Sequence, residues 1–301
     1  MDNAIKPDWI AVDWGTSNLR AYAMQGATVL ARTSSADGMS SLSPEQFEPA
    51  LHALIGAWLE RKSVPVFACG MLGSRQGWIE APYRSVPATP MAERLIKAPT
   101  SSALAVYIAP GLSQANPPDV MRGEETQITG FLNLNPKWDG VLCLPGTHTK
   151  WVHLSAGEVV SFQTFMTGEL FALMTGASVL RHSVATQDWD AQSFDTAVSA
   201  AISKPELLAA RLFALRAGDL LHARAAATTK SALSGYLIGA ELAAARPYWL
   251  GQNLAILGMG TLATAYQSAL GSQGATAMLV ESERATVAGL TAAYRSWKET
   301  T

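Results

Sequence analysis

Charge is scarce in this chain: only 15% of its 301 residues are Asp, Glu, Lys or Arg, and they leave a formal net charge of −2. Without a broad basic field, nucleic acid and anionic membrane are not the expected partners, and any anion has to be bound locally. Cysteine is scarcer still. Cys69 and Cys143 each close an apolar, strand-like run, a place for a buried thiol rather than for a disulfide or a nucleophile. No segment runs 18 residues without a polar interruption, and residues 1–8 hold no apolar core of leader length, so the chain is expected to cross no membrane and to work in the cytoplasm. What it does have is apolar surface, 49% of residues, enough for a large core and two domains of ordinary size.

Two stretches about 130 residues apart repeat one pattern. Residues 10–22 and 141–153 each read as an apolar strand, a Gly-Thr-polar-polar turn with a cation close behind, and a second strand. Glycine at such a turn lets backbone amides approach an anion, and the neighbouring Thr, Ser and His side chains add donors suited to phosphate oxygens. One copy reads equally well as an ordinary polar hairpin turn. Two copies, each opening its own half, suggest related lobes that grip a polyphosphate, and nucleotide-dependent phosphoryl transfer becomes the leading reading.

The rest of the chain alternates strands and helices. An antiparallel meander is expected over 8–13, 19–24 and 28–33, then a helix from Ser43 carrying Phe47, Leu51, Leu54, Ile55 and Trp58 on one stripe. A strand at 64–69 leads into the glycine-punctuated loop 70–78, which is too polar and too long for a plain connection. Short strands at 105–109 and 119–122 precede a helix at 124–134, and the first lobe is expected to occupy 1–136. The second, 137–301, repeats the meander, continues with a helix from Gly168 and a helical stretch over 204–246, and closes with a strand, a glycine turn at 258–261, a helix, a strand and an amphipathic helix over 285–297. That last helix can return to the first lobe. The expected class is α/β.

Asp13 ends the first strand, where one hard oxygen ligand at a loop mouth could hold a hydrated Mg²⁺ against phosphates. Thr16 and Ser17 would bind phosphate oxygens, and Arg20 could reach the transferring group or an acidic substrate. Glu124 and Glu125 stand side by side where a strand becomes a helix, in the positive end of its dipole. They read either as a solvated first-turn pair or as the group that orients an acceptor hydroxyl.

Together, residues 13–20, 70–78, 122–127 (Arg-Gly-Glu-Glu-Thr-Gln) and 145–151 resemble the 2-dehydro-3-deoxygalactonokinase family, of the actin, Hsp70 and sugar kinase superfamily. The resemblance covers most of the chain. It implies two ribonuclease H-like lobes with an interdomain nucleotide cleft (the actin-like ATPase fold), ATP and Mg²⁺ as cofactors, and phosphorylation of the terminal 6-hydroxyl of 2-dehydro-3-deoxy-D-galactonate in galactonate catabolism. Asp13, Gly15, Thr16 and Ser17 match the first phosphate motif; Gly146, Thr147, His148 and Thr149 match the second; Gly258, Gly260 and Thr261 stand in place of the adenosine motif. The second motif lacks its usual acid, since Leu144 and Pro145 stand there, so the catalytic carboxylate is assigned to Glu125, with Glu124 as understudy.

A sugar acid needs a cation and hydroxyl-binding groups. Arg75 is the first choice for its carboxylate, with Arg20 and Arg122 as competitors, and Gly70, Met71 and Ser74 belong to the same loop. Lys150 would neutralise phosphate or cap its hairpin; Glu169 would bind a sugar hydroxyl or start a helix. Two alternatives stay open: a phosphohydrolase of the exopolyphosphatase type, and an NAD-dependent oxidoreductase suggested by the Gly-Met-Gly turn with Glu281 about 20 residues on. Nothing in the sequence marks the oligomeric state or separates galacto from gluco stereochemistry.

Overall fold

The computed structural model describes residues 5–59, 64–101 and 104–300. Residues 1–4, the start of the stretch judged free of a leader, and the outermost bounds of both expected lobes lie outside the described residues.

The meander forms as β1 (Trp9–Trp14), β2 (Leu19–Gln25) and β3 (Thr28–Ser35), antiparallel, with Asp13 opposite Arg20. A short 3₁₀ turn leads into α1 (Phe47–Ile55), its start fixed by a capping box in which Gln46 Oε1 accepts from the Ser43 amide at 2.8 Å. β4 (Pro65–Gly70) lies parallel to β1 and sets Cys69 beside Asp13. After it come β5 (Arg84–Ser85), β6 (Ile96–Lys97), β7 (Ala105–Ile108), β8 (Leu112–Gln114), β9 (Asp119–Met121) and α2 (Glu124–Leu134). The first sheet runs β3-β2-β1-β4-β7-β6, and β5, β8 and β9 make a small sheet of their own.

The second half gives β10 (Gly140–Leu144), β11 (Thr149–Ser155), β12 (Glu158–Phe165), α3 (Thr167–Gly176), α4 (Ala191–Ser203), α5 (Leu208–His222), α6 (Ala226–Ala244), α7 (Arg246–Trp249), β13 (Leu254–Leu257), α8 (Gly260–Gly271), β14 (Ala277–Val280) and α9 (Ser282–Thr300). Its sheet runs β12-β11-β10-β13-β14, the order of β3-β2-β1-β4-β7 over again. In both, an antiparallel meander is continued by two parallel strands. That shared order is the ribonuclease H-like, actin-like ATPase pattern, and it is the structural form of the repeat seen in the two turns. It also removes the dinucleotide reading: the strand after the Gly-Met-Gly turn is a sheet edge, and the chain then leaves the sheet for α9.

The chain divides into two compact units. The first holds residues 1–138, 155–161 and 282–301; the second holds 139–154 and 162–281. In the first, alternation along β1 feeds two cores: Ile10, Val12 and Trp14 pack with α1, while Trp9 and Ala11 pack with α9. Trp9 stacks on Tyr294 at 4.8 Å and Phe67 meets Trp297 edge-on at 5.6 Å. Helices α2 and α9 cross backbone to backbone, since a Cβ on Gly130 would fall on the Ala285 carbonyl and one on Gly289 on the Thr126 carbonyl. In the second unit, Phe194 and Val198 of α4 and Ile238 and Leu242 of α6 pack with Cys143, Trp151 and Ile256 of its sheet. Both cysteines are buried and free, as expected.

Candidate active site

Three backbones meet at the C-terminal end of the parallel strands in the first unit. Gly70, at φ +101°, ends β4 against Trp14, and a Cβ there would fall on the Trp14 carbonyl; a Cβ on Gly123, at φ +103°, would lie 3.2 Å from the Gly70 Cα. Only glycine fits both places. The contact gathers the end of β1, the glycine-rich loop and the start of α2.

Asp13 sits at this meeting. Burial raises its pKa above the usual carboxylate range, the Arg20 guanidinium, 3.1 Å away, offsets part of the rise, and Glu283 adds to it. The turn beyond, 15–18, is closed by the Gly15 amide donating to Asn18 O and braced by Met39 and Ser40 amides donating to Gly15 O and Thr16 O. Thr16, Ser17 and Asn18 are exposed.

The acidic pair divides its work. Glu124 accepts from the Arg122 amide at 3.0 Å and is half-buried. Glu125 is buried; its Oε2 accepts from the Gly123 amide at 2.6 Å and its Oε1 from the Thr126 hydroxyl at 3.0 Å. Both therefore satisfy amides at the helix start, the bland role, but burial first and Glu124 second push the Glu125 pKa up to about 7. A carboxyl group tuned to that value can take or return a proton at neutral pH.

Arg75 and Arg122, rivals in the sequence, part company. Arg75 is 80% exposed and faces Glu80 at 3.6 Å. Arg122 is buried under the glycine-rich loop, donates from Nη2 to Ala81 O at 2.7 Å and lies 4.2 Å from the centre of the Tyr83 ring. The loop is pinned by Trp78, which packs on Phe47 and edge-on to Trp14. Ser74 is buried in it, and Met71 is half-buried. Trp14, Trp78 and Trp151 are core residues, not ligand platforms.

In the second unit the turn after β10 leans on the start of α3. A Cβ on Gly168 would fall on Gly146 O, the Glu169 amide donates to Thr147 O, and His148 Nε2 lies 2.6 Å from Glu169 Oε2. Glu169 is thus a helix-start acid tied to the turn. Lys150 is buried and donates to Thr164 Oγ1 on the neighbouring strand at 2.9 Å. Beneath the turn, Glu241 of α6 accepts from Trp151 Nε1 and the Tyr266 hydroxyl, each at 2.7 Å, and from the Thr167 hydroxyl. Burial raises its pKa to about 7.

Gly146 and Thr147 line one wall of a cavity of about 580 Å³ in this unit, and Thr261 lines another. Gly258 packs against Ala263 and Pro145, and Gly260, at φ +67°, opens α8. The structure thus brings the second turn and Thr261 to one space. It adds residues the sequence did not single out: Phe171, Trp189, Lys230, Ile238 and Leu262. They come from α3, the loop before α4, α6 and α8, segments far apart in the sequence that only the fold brings together. The cavity is mainly apolar with several polar side chains among its lining, and its volume falls in the range of small-ligand sites.

The sequence profile of the 2-keto-3-deoxy-galactonokinase family matches residues 13–293. A curated protein of Rhizobium meliloti strain 1021 named a probable 2-dehydro-3-deoxygalactonokinase is 40% identical over 207 residues, 66% of this chain and 67% of its own length. The 2-dehydro-3-deoxygalactonokinase of Escherichia coli K12 is 37% identical over 204 residues, 66% of this chain and 68% of its own. A crystal structure from Sinorhizobium meliloti, described as a candidate 2-dehydro-3-deoxygalactonokinase, superposes with a TM-score of 0.89 at 40% identity, covering 96% of this chain and 99% of the other.

Proposed function

The chain belongs to the 2-keto-3-deoxy-galactonokinase family, and we infer that it is an ATP-dependent sugar-acid kinase that phosphorylates the 6-hydroxyl of 2-dehydro-3-deoxy-D-galactonate in galactonate catabolism. The observation that carries the mechanism is the buried carboxyl group of Glu125, fixed at the start of α2 with a pKa near neutrality and, through the Gly70–Gly123 contact, on the same strand edge as Asp13. Phosphoryl transfer rests chiefly on positioning and on stabilising charge.

In this reading Glu125 orients the acceptor hydroxyl and takes its proton as the bond to phosphorus forms, with Glu124 as the alternative carrier. Thr16 and Ser17, and Gly146, Thr147 and His148, donate to phosphate oxygens; Gly15, whose amide closes its turn on Asn18 O, and Thr149, buried with its hydroxyl on Tyr266, shape the two turns instead; and the 580 Å³ cavity takes the adenosine, with Thr261 and Leu262 on its wall. Asp13 is the assigned ligand of Mg²⁺. Mg²⁺ takes one or two protein carboxylates and fills the rest of its shell with water and phosphate oxygens, and the Asp13 carboxylate at the end of β1 would be such a ligand. Bound there, it would neutralise phosphate charge. The enzyme so proposed works in the cytoplasm; among the described residues no helix is long and apolar enough to cross a membrane.

The test is a coupled ADP-release assay over a panel of 2-dehydro-3-deoxy sugar acids, with Glu125→Gln, Glu124→Gln and Asp13→Asn beside the wild type. Turnover should require the acid and ATP, and fall about 100-fold or more in Glu125→Gln and Asp13→Asn with folding intact. ADP release indifferent to the acid would return the phosphohydrolase reading.

A further inference from the structure

Among the described residues, five buried polar side-chain atoms have no hydrogen-bond partner, and four of them belong to Ser74, Arg84 and Arg122 of the first unit: Ser74 Oγ, Arg84 Nε, and Arg122 Nε and Nη1. Buried donors are nearly always matched, and most strictly when they carry charge. A cluster left unmatched in the protein alone points to a group that arrives from outside.

Topology sorts the three residues. Arg84 on β5 shares a sheet face with Leu112 on β8 and Met121 on β9, and its Nη2 donates to Thr89 O and Pro90 O, whereas Arg122, one residue past Met121, lies with Tyr83. Arg122 turns under the glycine-rich loop, and a Cβ added to Gly73 would lie 3.0 Å from its Nη1; Ser74 follows directly. Arg122 and Ser74 are only 8% and 6% exposed. The guanidinium is held on two sides, by Ala81 O and by the Tyr83 ring, which fixes its plane. Nη2 gives one hydrogen to Ala81, and its other completes a two-donor fork with either Nε or Nη1. A planar cation with one free fork and a hydroxyl beside it is complementary to a carboxylate.

We propose that Arg122, with Ser74, is the seat of the acceptor's carboxylate, and that the glycine-rich loop admits it. The proposal rests on the sugar-acid kinase reading and names which cation reads the acid. Arg75, the choice favoured by the sequence alone, is spent on solvent and Glu80. A phosphate of ATP is the other anion that such a fork could take, and the kinetics separate the two.

The experiment compares 2-dehydro-3-deoxy-D-galactonate with its neutral C1 amide in wild type, Arg122→Met, Arg122→Lys and Ser74→Ala, with calorimetry of the acid alone read in parallel. Wild type should prefer the acid by about 100-fold in kcat/KM. Arg122→Met should erase that preference by lowering the acid rate, leaving the amide rate and the KM for ATP within about threefold. Should Arg122→Met fail to fold, Arg122→Lys and Ser74→Ala should each narrow the preference by about tenfold. Acid and amide falling together in these variants would make Arg122 a mere prop of the loop and overturn the proposal, as would a rise in the KM for ATP alone. Absence of turnover with any sugar acid would sink the kinase reading instead; the seat would still stand or fall by calorimetry, where the acid should bind to wild type and at least about tenfold more weakly to Arg122→Lys.

Discussion

Tyr266 gives its hydroxyl hydrogen to Glu241 Oε2 at 2.7 Å, which obliges Thr149, 3.0 Å away on β11, to be the donor toward the tyrosine oxygen. The chain of bonds runs from the end of the second Gly-Thr turn to a buried carboxyl group on α6. Removing its middle link should loosen the turn without emptying the core. Tyr266→Phe is expected to raise the KM for ATP by about tenfold, the loss of roughly 1.4 kcal/mol, while leaving the KM for the sugar acid within twofold. Steady-state kinetics with each substrate varied in turn checks this, and equal rises in both constants would contradict it.

The pH profile of kcat should show a rising limb with an apparent pKa near 7. Glu125 is protonated below that value and cannot accept the hydroxyl proton; above it the carboxylate is available. In Glu125→Gln the limb should vanish along with most of the rate, whereas Glu124→Gln should keep it. A limb that persists in Glu125→Gln would move the role to another group.

Stability should run the opposite way. Glu125 and Glu241 have folded-state pKa values raised from 4.5 to about 7, so the native state holds their protons more tightly than the unfolded chain. Their contribution is complete below about pH 4.5, is lost as pH rises through about 7, and amounts to at most ~3 kcal/mol for each. Urea unfolding at pH 5 and pH 8 should therefore show wild type weaker at pH 8, and Glu241→Gln with the smaller difference. Identical differences in the two proteins would contradict the assignment.

Gly70→Ala is expected to destabilise by about 3 kcal/mol or more, because the new Cβ meets the Trp14 carbonyl at a backbone angle that L residues avoid. Activity should fall further than stability, since the same contact aligns Asp13 with the start of α2. Thermal unfolding and single-turnover rates on the soluble fraction would separate the two effects.

Much of the fold was legible because strong local patterns agreed with the tertiary result. The β1–β2–β3 and β10–β11–β12 meanders, α1, α2 and α9 all lie within a few residues of their expected bounds. The strands β5, β6 and β8 carry no signal in the sequence because each is only two or three residues long, too short for any periodicity to register. Helix α4 was missed for a different reason: its buried face is Phe194, Ala197, Val198 and Ala201, and three small or β-branched residues make a faint stripe. Among candidate site residues, the two Gly-Thr turns and the acidic pair stand out through unusual local composition. Glu241 did not, because an isolated Glu in an Ala-rich helix looks like a solvated one until Trp151, Thr167 and Tyr266, from three other elements, close on it. That Arg75 is exposed and Arg122 buried is likewise a matter of tertiary packing, which one-dimensional spacing does not encode.

Helix α9 follows the whole second unit in the chain, yet α2 leans on it through the Gly130–Gly289 crossing and β1 through Trp9 and Tyr294. During synthesis the first unit therefore waits, with one face of its sheet bare, until residues 282–300 have left the ribosome. The helix that bears Glu124 and Glu125 acquires its support only then, so a ribosome stalled within the second unit releases no partly competent enzyme.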